Sequence, residues 1–274
     1  MSNGFCGFAS SLPGVIPTKS KSRVFHSKPF RFLYRYSVQI KGGRDIERTD
    51  AIRSAYRLTG SNSFYDGMIT CSTVPGKAVC RLVWGMGRAD CEDYLEKALS
   101  GIPESFAGRL LEVPVGTGIL TMPLYATLPQ AEITCLDYSP DMMAQAREKA
   151  KRLQLKNVSF QQGDVGALPY ADSSFDTVLS LNGFHAFPDK EAAYRETFRV
   201  LKPGGVFCGC FYVAGEHRRT DWFIRHVYGP AGFFTPPYET VDSLKSRLTR
   251  QYAHVSIGSL KGMAWFVCKK GENA

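Results

Sequence analysis

Two carboxylates and two glycines stand where an α/β chain could hold a nucleoside. The run Leu110-Leu-Glu-Val-Pro-Val-Gly-Thr-Gly118 is an apolar strand that carries an acid, Glu112, near its end and enters a glycine-containing turn. Nineteen residues beyond Gly118, a second apolar segment ends in Asp137. The turn Val115-Gly116-Thr117-Gly118 lacks Cβ atoms at its glycines, so its backbone can approach a ligand and face it with amides. An acid at the end of the second strand can accept hydrogen bonds from a ribose diol. The bland role for Asp137 is a cap on the helix that begins near Pro140. The dinucleotide fingerprint G-x-G-x-x-G is incomplete, because its last position falls on Thr121.

Three further groups recur along the chain. Gly163-Asp164 follows a third apolar segment, Asn182-Gly-Phe-His185-Ala-Phe-Pro-Asp189 follows a fourth, and Arg199-Val-Leu-Lys-Pro-Gly-Gly205 precedes a fifth. Proton-transfer candidates are His185, Tyr65 and His226, in falling order, although a lone histidine is more often structural than catalytic. The eight cysteines contain no C-x-x-C pair and no zinc-spaced His/Cys set, so no metal site is expected. Cys208 and Cys210 should share one face of a strand.

These groups need elements to position them. The expected strands are Arg109 to Val113, Glu132 to Leu136, Val158 to Gln161, Phe175 to Leu181 and Val206 to Tyr212. A closing hairpin is expected from Tyr252 to Ile257 and from Met263 to Cys268. Ser139 and Pro140 suit the cap and first position of a helix to about Leu153, and a second helix spans about Lys190 to Val200. A helix should run from the glycine turn through Tyr125, and Lys202-Pro203-Gly204-Gly205 should turn into the fifth strand. Upstream, Ala51 to Leu58, Val79 to Trp84 and Glu92 to Leu99 read as helices that could cover the mouth of the sheet. Strands alternating with helices predict a doubly wound, Rossmann-like α/β sheet of about seven strands, helices on both faces, with an antiparallel last strand.

Apolar content of 44% and charged content of 22% suit a globular chain, and no segment reaches the length of a membrane span. Eight of the nine net positive charges sit in residues 1–44, which hold no acid, so the remaining body carries only +1. A near-neutral body argues against a nucleic-acid partner. Residues 1–44 read as a disordered extension, a transit-like segment or a mis-assigned start. Residues 45–104 read as a helical cap, and residues 105–274 as the catalytic domain with a lid near 215–248. That lid is rich in aromatics, which either line an acceptor site or simply pack it down.

The glycine turn, the acid after strand two, Gly163-Asp164 and the Lys-Pro-Gly-Gly segment together resemble the class I S-adenosylmethionine-dependent methyltransferases. The resemblance is nearest to the small-molecule group with ubiquinone/menaquinone-type C-methyltransferases. It covers roughly residues 65–270. In the family pattern hhDhGxGxG, Glu112 takes the acid position, Gly116 and Gly118 the last two glycines, and Pro114 replaces the first. The resemblance implies S-adenosylmethionine as cofactor, with Asp137 on the ribose and Met142 against the adenine. Asp164 would accept from the adenine amino group and Val165 would supply an amide. Tyr138, Thr117, Val115, Gly163 and Asn182 would complete the cofactor pocket. Relatives often carry a His-His pair where this chain has His185-Ala186.

The expected activity is methyl transfer to a small organic acceptor, aromatic or anionic. A nicotinamide-dependent oxidoreductase and a non-catalytic S-adenosylmethionine-binding protein are the alternatives. The expected location is cytoplasmic, or the plastid or mitochondrial matrix if residues 1–44 are a transit peptide. Oligomeric state is not readable from the sequence.

Overall fold

The structure is a computed structural model that describes residues 66, 67 and 69–273. The readings of residues 1–44, of the helix over Ala51 to Leu58 and of Tyr65 lie outside the described residues. After helical residues at Asp66, Gly67 and Ile69 comes α1 (Val74–Val79), where the Thr73 hydroxyl accepts from the Gly76 amide and a proline stands in the first turn. A π-helical turn, Cys80–Trp84, continues it and stops at Gly85, whose φ of 64° is left-handed. α2 (Arg88–Leu99) starts where the Asp90 carboxylate accepts from the Gly87 amide at 2.7 Å. Both helical segments begin earlier than their apolar patterns suggest, because caps rather than apolar residues set a helix start.

The remaining elements are β1 (Arg109–Glu112), α3 (Thr121–Tyr125), β2 (Glu132–Asp137), α4 (Pro140–Arg152), β3 (Val158–Gln162), β4 (Phe175–Leu181), α5 (Lys190–Val200), β5 (Leu201–Tyr212), α6 (Arg218–Phe223), α7 (Val241–Gln251), β6 (His254–Leu260) and β7 (Met263–Lys269). They build one seven-stranded sheet in the order β3-β2-β1-β4-β5-β7-β6. β1 to β5 pair in parallel. β7 inserts between β5 and β6 and runs antiparallel to both. The strand order reverses between β1 and β4. In an open α/β sheet, that switch point opens a crevice outside the carboxyl ends of the strands.

Alternation along the strands divides the core into two layers. Leu110, Ile133, Cys135, Leu179, Cys208 and Cys210 face one side, where α2, α3 and α4 supply Tyr94, Leu95, Met122, Tyr125 and Ala146. Leu111, Leu136, Val178, Phe207 and Phe266 face the other, under Tyr194 of α5 and Leu244 and Leu248 of α7. Two expectations change. α2 does not cover the sheet mouth; it packs on the sheet against β5 and β7. β5 starts at Leu201 rather than Val206, because Leu201 already pairs with Phe175. Lys202 to Gly205 form a bulge inside the strand, since the next pair is Thr177 with Val206. The turn chemistry of Lys-Pro-Gly-Gly is therefore present, but within a strand.

Candidate functional site

The site grows from the turn after β1. Gly116 and Gly118 have φ values of 55° and 67°, the left-handed region that costs glycine nothing. Their amides are not turned outward as expected. The Gly116 amide donates to Asp137 Oδ2 at 2.7 Å, and the Gly118 amide donates to the Val115 carbonyl at 3.0 Å. The Val115 amide donates to the Leu136 carbonyl at 2.9 Å. The turn is thus fastened to the end of β2. A Cβ built at Gly116 would meet no atom within 4 Å, so the backbone there lies open to an approaching molecule. Gly118 has a different duty: a Cβ there would come within 2.8 Å of Met122 and 3.2 Å of Ala146, so it lets α3 and α4 pack together.

Asp137 is 6% exposed, and its second oxygen, Oδ1, accepts from the Ser139 amide at 2.9 Å. Burial pushes its carboxyl pKa up, against the lowering effect of the backbone amides that donate to it. Helix capping falls to Ser139, whose hydroxyl accepts from the Met142 amide at 3.3 Å. Asp137 therefore does not cap α4. Each of its oxygens holds one amide and keeps a further lone pair.

Thr117 is nearly buried, and its hydroxyl donates to Asp66 Oδ1 at 2.7 Å. Asp66 Oδ2 pairs with Lys149 Nζ of α4 at 3.1 Å, with side-chain exposures of 12% and 7%. This buried pair ties the start of the described chain to the glycine turn. Sequence reasoning missed it, since the partners are far apart in the chain and neither belongs to a motif.

Glu112 does not reach the open side of the turn. It is 1% exposed, and its Oε2 accepts from the Tyr125 hydroxyl at 2.8 Å. Desolvation raises its pKa to about 8. It stands behind the turn as a buried, protonated acid at neutral pH. Pro114 follows a cis peptide bond with Val113. Its ring presses on Gly183, where a Cβ would lie 2.3 Å from Pro114 Cδ. The proline in place of a first glycine is thus accommodated by a glycine on the neighbouring strand end.

Gly163 and Asp164 follow β3, and the Gly163 amide donates to the Asp137 carbonyl at 3.1 Å. Asp164 is exposed; its Oδ1 accepts from the Gly166 amide at 2.8 Å and caps a short 3-10 turn, Val165–Ala167. Met142 is 7% exposed, Val165 is 6% exposed, and Tyr138 presents its ring to solvent at 78% exposure. These residues stand at the carboxyl ends of β2 and β3, or begin α4 in the case of Met142, on the same edge as Gly116.

At the end of β4, Asn182 has a left-handed φ of 56°, and its amide donates to the Cys210 carbonyl at 2.7 Å. His185 Nδ1 accepts from the Tyr212 amide at 3.3 Å, and its ring stacks on Phe234 with centroids 4.2 Å apart. Burial, and then the nearby Lys190 charge, lower its pKa to about 3. The imidazole is neutral with its proton on Nε2, so it offers a donor and no free lone pair. His226 is exposed; its Nδ1 contacts the Trp222 carbonyl at 2.9 Å and its ring stacks on Trp222. It belongs to the outer surface of the lid.

The lid is fastened to the β4 end. The Thr235 amide donates to the His185 carbonyl at 2.9 Å, and buried Lys190 donates to the Thr235 carbonyl at 2.6 Å. Inside it, Trp84, Tyr212, Phe234 and Tyr238 form an aromatic wall, with Tyr212 edge-on to Trp84 at 6.1 Å, to Phe234 at 5.5 Å and to Tyr238 at 5.9 Å. Phe234 packs into the core, as the packing reading expects, whereas Trp222 is 54% exposed and stacks on His226 at the outer surface of the lid. The expectation of no metal-ligand set changes as well, because Cys71, Cys80 and Cys91 bring their sulfurs within 4.8 Å of one another.

A family described as a methyltransferase domain matches residues 110–205. Demethylmenaquinone methyltransferase of Deinococcus radiodurans is 43% identical over 97 residues, which are 35% of this chain and 40% of that protein. The protein of the same name from Listeria welshimeri is 38% identical over 155 residues, covering 54% of this chain and 65% of its own. A chloroplastic 2-methyl-6-phytyl-1,4-hydroquinone methyltransferase of Oryza sativa is 33% identical over 117 residues, 43% of this chain and 32% of that protein. The chain therefore spans 40% and 44% of the length of the first two curated relatives it matches.

Among solved structures, Haemonchus contortus phosphoethanolamine N-methyltransferase 2, in complex with S-adenosylhomocysteine, superposes with a TM-score of 0.60 at 13% identity. That match covers 82% of this chain and 61% of that one. The [4+2]-cyclase SpnF superposes with a TM-score of 0.57 at 17% identity, covering 83% and 99%. These two likenesses concern the fold alone.

Proposed function

We propose that the protein transfers a methyl group from S-adenosylmethionine to a small, apolar, hydroquinone-type acceptor; its residues 110–205 match a family described as a methyltransferase domain. The observation that carries this reading is the pairing of Asp137 with the Gly116 amide beside backbone that lies open at Gly116. A carboxylate held by two amides is pre-aimed for a diol and needs no rearrangement to receive it. Asp164, with one oxygen on its own turn, keeps the other for an exocyclic amino group, and Val165 carries an amide beside it. Met142, Tyr138 and Gly163 supply the apolar contacts of a base, while Thr117 and Asn182 border the methyl-donor end. Glu112 acts from behind the turn by holding Tyr125 rather than by touching the cofactor.

The cofactor, when bound, supplies an electrophilic methyl group on a sulfonium. The chain's part is alignment and exclusion of water. Trp84 and Tyr238, the partly exposed members of this aromatic cluster, suit a flat apolar ring. His185, with Nδ1 committed to the Tyr212 amide, orients an acceptor oxygen from Nε2–H and does not serve as a base. The relatives named for demethylmenaquinone and for 2-methyl-6-phytyl-1,4-hydroquinone support an acceptor of this class.

We place the protein in the cytoplasm, with the plastid or mitochondrial matrix as the alternative if residues 1–44 act as a transit segment. No helix among the described residues is long and apolar enough to cross a membrane. One relative from Oryza sativa is named as chloroplastic. A near-neutral body supports a small-molecule acceptor rather than a nucleic acid.

The test is incubation of the full chain with methyl-labelled S-adenosylmethionine and a short-chain prenylated naphthoquinol or benzoquinol. The expected result is label in an organic-soluble product and release of S-adenosylhomocysteine. Cofactor binding without label transfer to either ring class would contradict the acceptor reading and favour a non-methylating role.

A further inference from the structure

Cys71, Cys80 and Cys91 come from three different segments: the chain after Asp66, the π-helical turn and α2. Cys71 Sγ lies 2.7 Å from Cys80 Sγ and 3.0 Å from Cys91 Sγ. The three residues are 1%, 5% and 7% exposed. The other described cysteines behave differently. Cys135 on β2, Cys208 and Cys210 on β5 and Cys268 on β7 sit as small side chains within the core of the sheet. Ordinary core filling does not aim three sulfurs at one point, closer together than unbonded packing would leave them.

We propose that Cys71, Cys80 and Cys91 form a thiolate site for a thiophilic d10 cation, Zn2+ in the first place. Thiolate sulfur selects soft ions of this kind. With Zn–S bonds of about 2.3 Å, tetrahedral geometry sets the sulfurs about 3.8 Å apart. Two of the pairs here need to open by roughly 1 Å to seat such an ion, a change within reach of χ1 adjustments. The three thiols leave the fourth position of a tetrahedral ion to another ligand. Three thiolates around a divalent ion carry one excess negative charge; Lys77 acts on Cys71 with the opposite sign, Asp90 acts against it, and Arg88 is paired with Glu92.

The ion would fasten the segment that begins at Asp66 to α2. Asp66 holds Thr117 of the glycine turn, so the site braces the cofactor pocket from outside it. The metal site itself does not depend on the proposed methyl transfer.

The test uses the full chain, purified with reductant and without chelator. Elemental analysis should give one zinc per chain, and the zinc absorption edge should report sulfur neighbours at about 2.3 Å. Cadmium added to the metal-free protein should produce a thiolate charge-transfer band. That band should be lost in Cys80→Ser and Cys91→Ser and retained in Cys208→Ser. The wild-type absorption edge keeps the proposal testable if the serine variants do not fold. A chain that holds no zinc, gives no cadmium band and titrates with three free thiols after unfolding would overturn the proposal. So would a chain whose intact mass shows a Cys71–Cys80 disulfide under the same reducing conditions.

Discussion

At the scale of single residues, burial decides which groups can carry charge. Glu112 keeps its proton to about pH 8 in the folded protein, while the same group unfolded titrates near its ordinary value of 4.5. Between those values the unfolded chain has released a proton that the folded chain retains. Stability is therefore full below about 4.5 and falls as pH rises toward 8. At about 1.4 kcal/mol per pH unit, the loss amounts to about 3 to 5 kcal/mol. Glu112→Gln keeps an acceptor for Tyr125 and removes the titration. Urea denaturation across pH should give a flatter alkaline limb for this variant, and a fall as steep as that of the wild type would show that Glu112 is charged.

His185 works in the opposite sense. Its pKa, lowered to about 3 from 6.5, leaves it neutral when folded, so its contribution is present above 6.5 and is lost as pH falls. His185→Gln should flatten the acid limb only. If His185 were instead the base, the methyl-transfer rate of that variant would collapse across the pH range. We expect mainly a rise in KM, as for a lost positioning contact.

At the scale of elements, two long-range contacts hold the site together. A Cβ at Gly183 would sit 2.3 Å from the Pro114 ring and 2.8 Å from Phe187, so Gly183→Ala should cost about 1 to 3 kcal/mol by overpacking. Pro114→Gly in the same chain should recover part of that loss in thermal unfolding. Equal destabilisation with and without the second change would show that the proline is not the obstacle. The Asp66–Lys149 pair gives a parallel case. Asp66→Ala strands a buried ammonium and should cost about 3 kcal/mol, whereas Asp66→Ala with Lys149→Met should be much milder. Chemical denaturation of the single and double variants decides between a coupled pair and two independent residues.

These contacts also mark where sequence reading stops. β4 and α5 match their expected bounds, and β1 to β3 lie within a residue of theirs, because alternation, caps and glycine punctuation are local signals. Asp137 was legible because it follows a strand at a fixed distance from a glycine turn. Its bond to the Gly116 amide was not, since amide direction depends on how β1 and β2 sit side by side. The Asp66 pair and the Cys71, Cys80 and Cys91 cluster were hidden for the same reason: their spacing has no local period. The α2 segment had the right helical pattern but the wrong expected place, because an apolar stripe does not name the surface it will meet.

At the scale of the whole molecule, the strand order creates a switch point at the carboxyl ends of β1 and β4. The glycine turn, Asp137, Asp164 and Asn182 all stand on that edge, and the lid is fastened to it through Thr235 and Lys190. On the proposed function, this edge receives S-adenosylmethionine through Asp137 and the Gly116 turn. This is tested most directly by calorimetric titration of the full chain with S-adenosylmethionine, S-adenosylhomocysteine and NAD, repeated with Asp137→Ala. Binding of the two sulfur nucleosides but not NAD is predicted, weakened by about 1 to 3 kcal/mol in Asp137→Ala, the range for a polar group deprived of its partner. Binding of NAD instead, or sulfur-nucleoside affinity unchanged by Asp137→Ala, would show that Asp137 and the Gly116 turn do not hold S-adenosylmethionine.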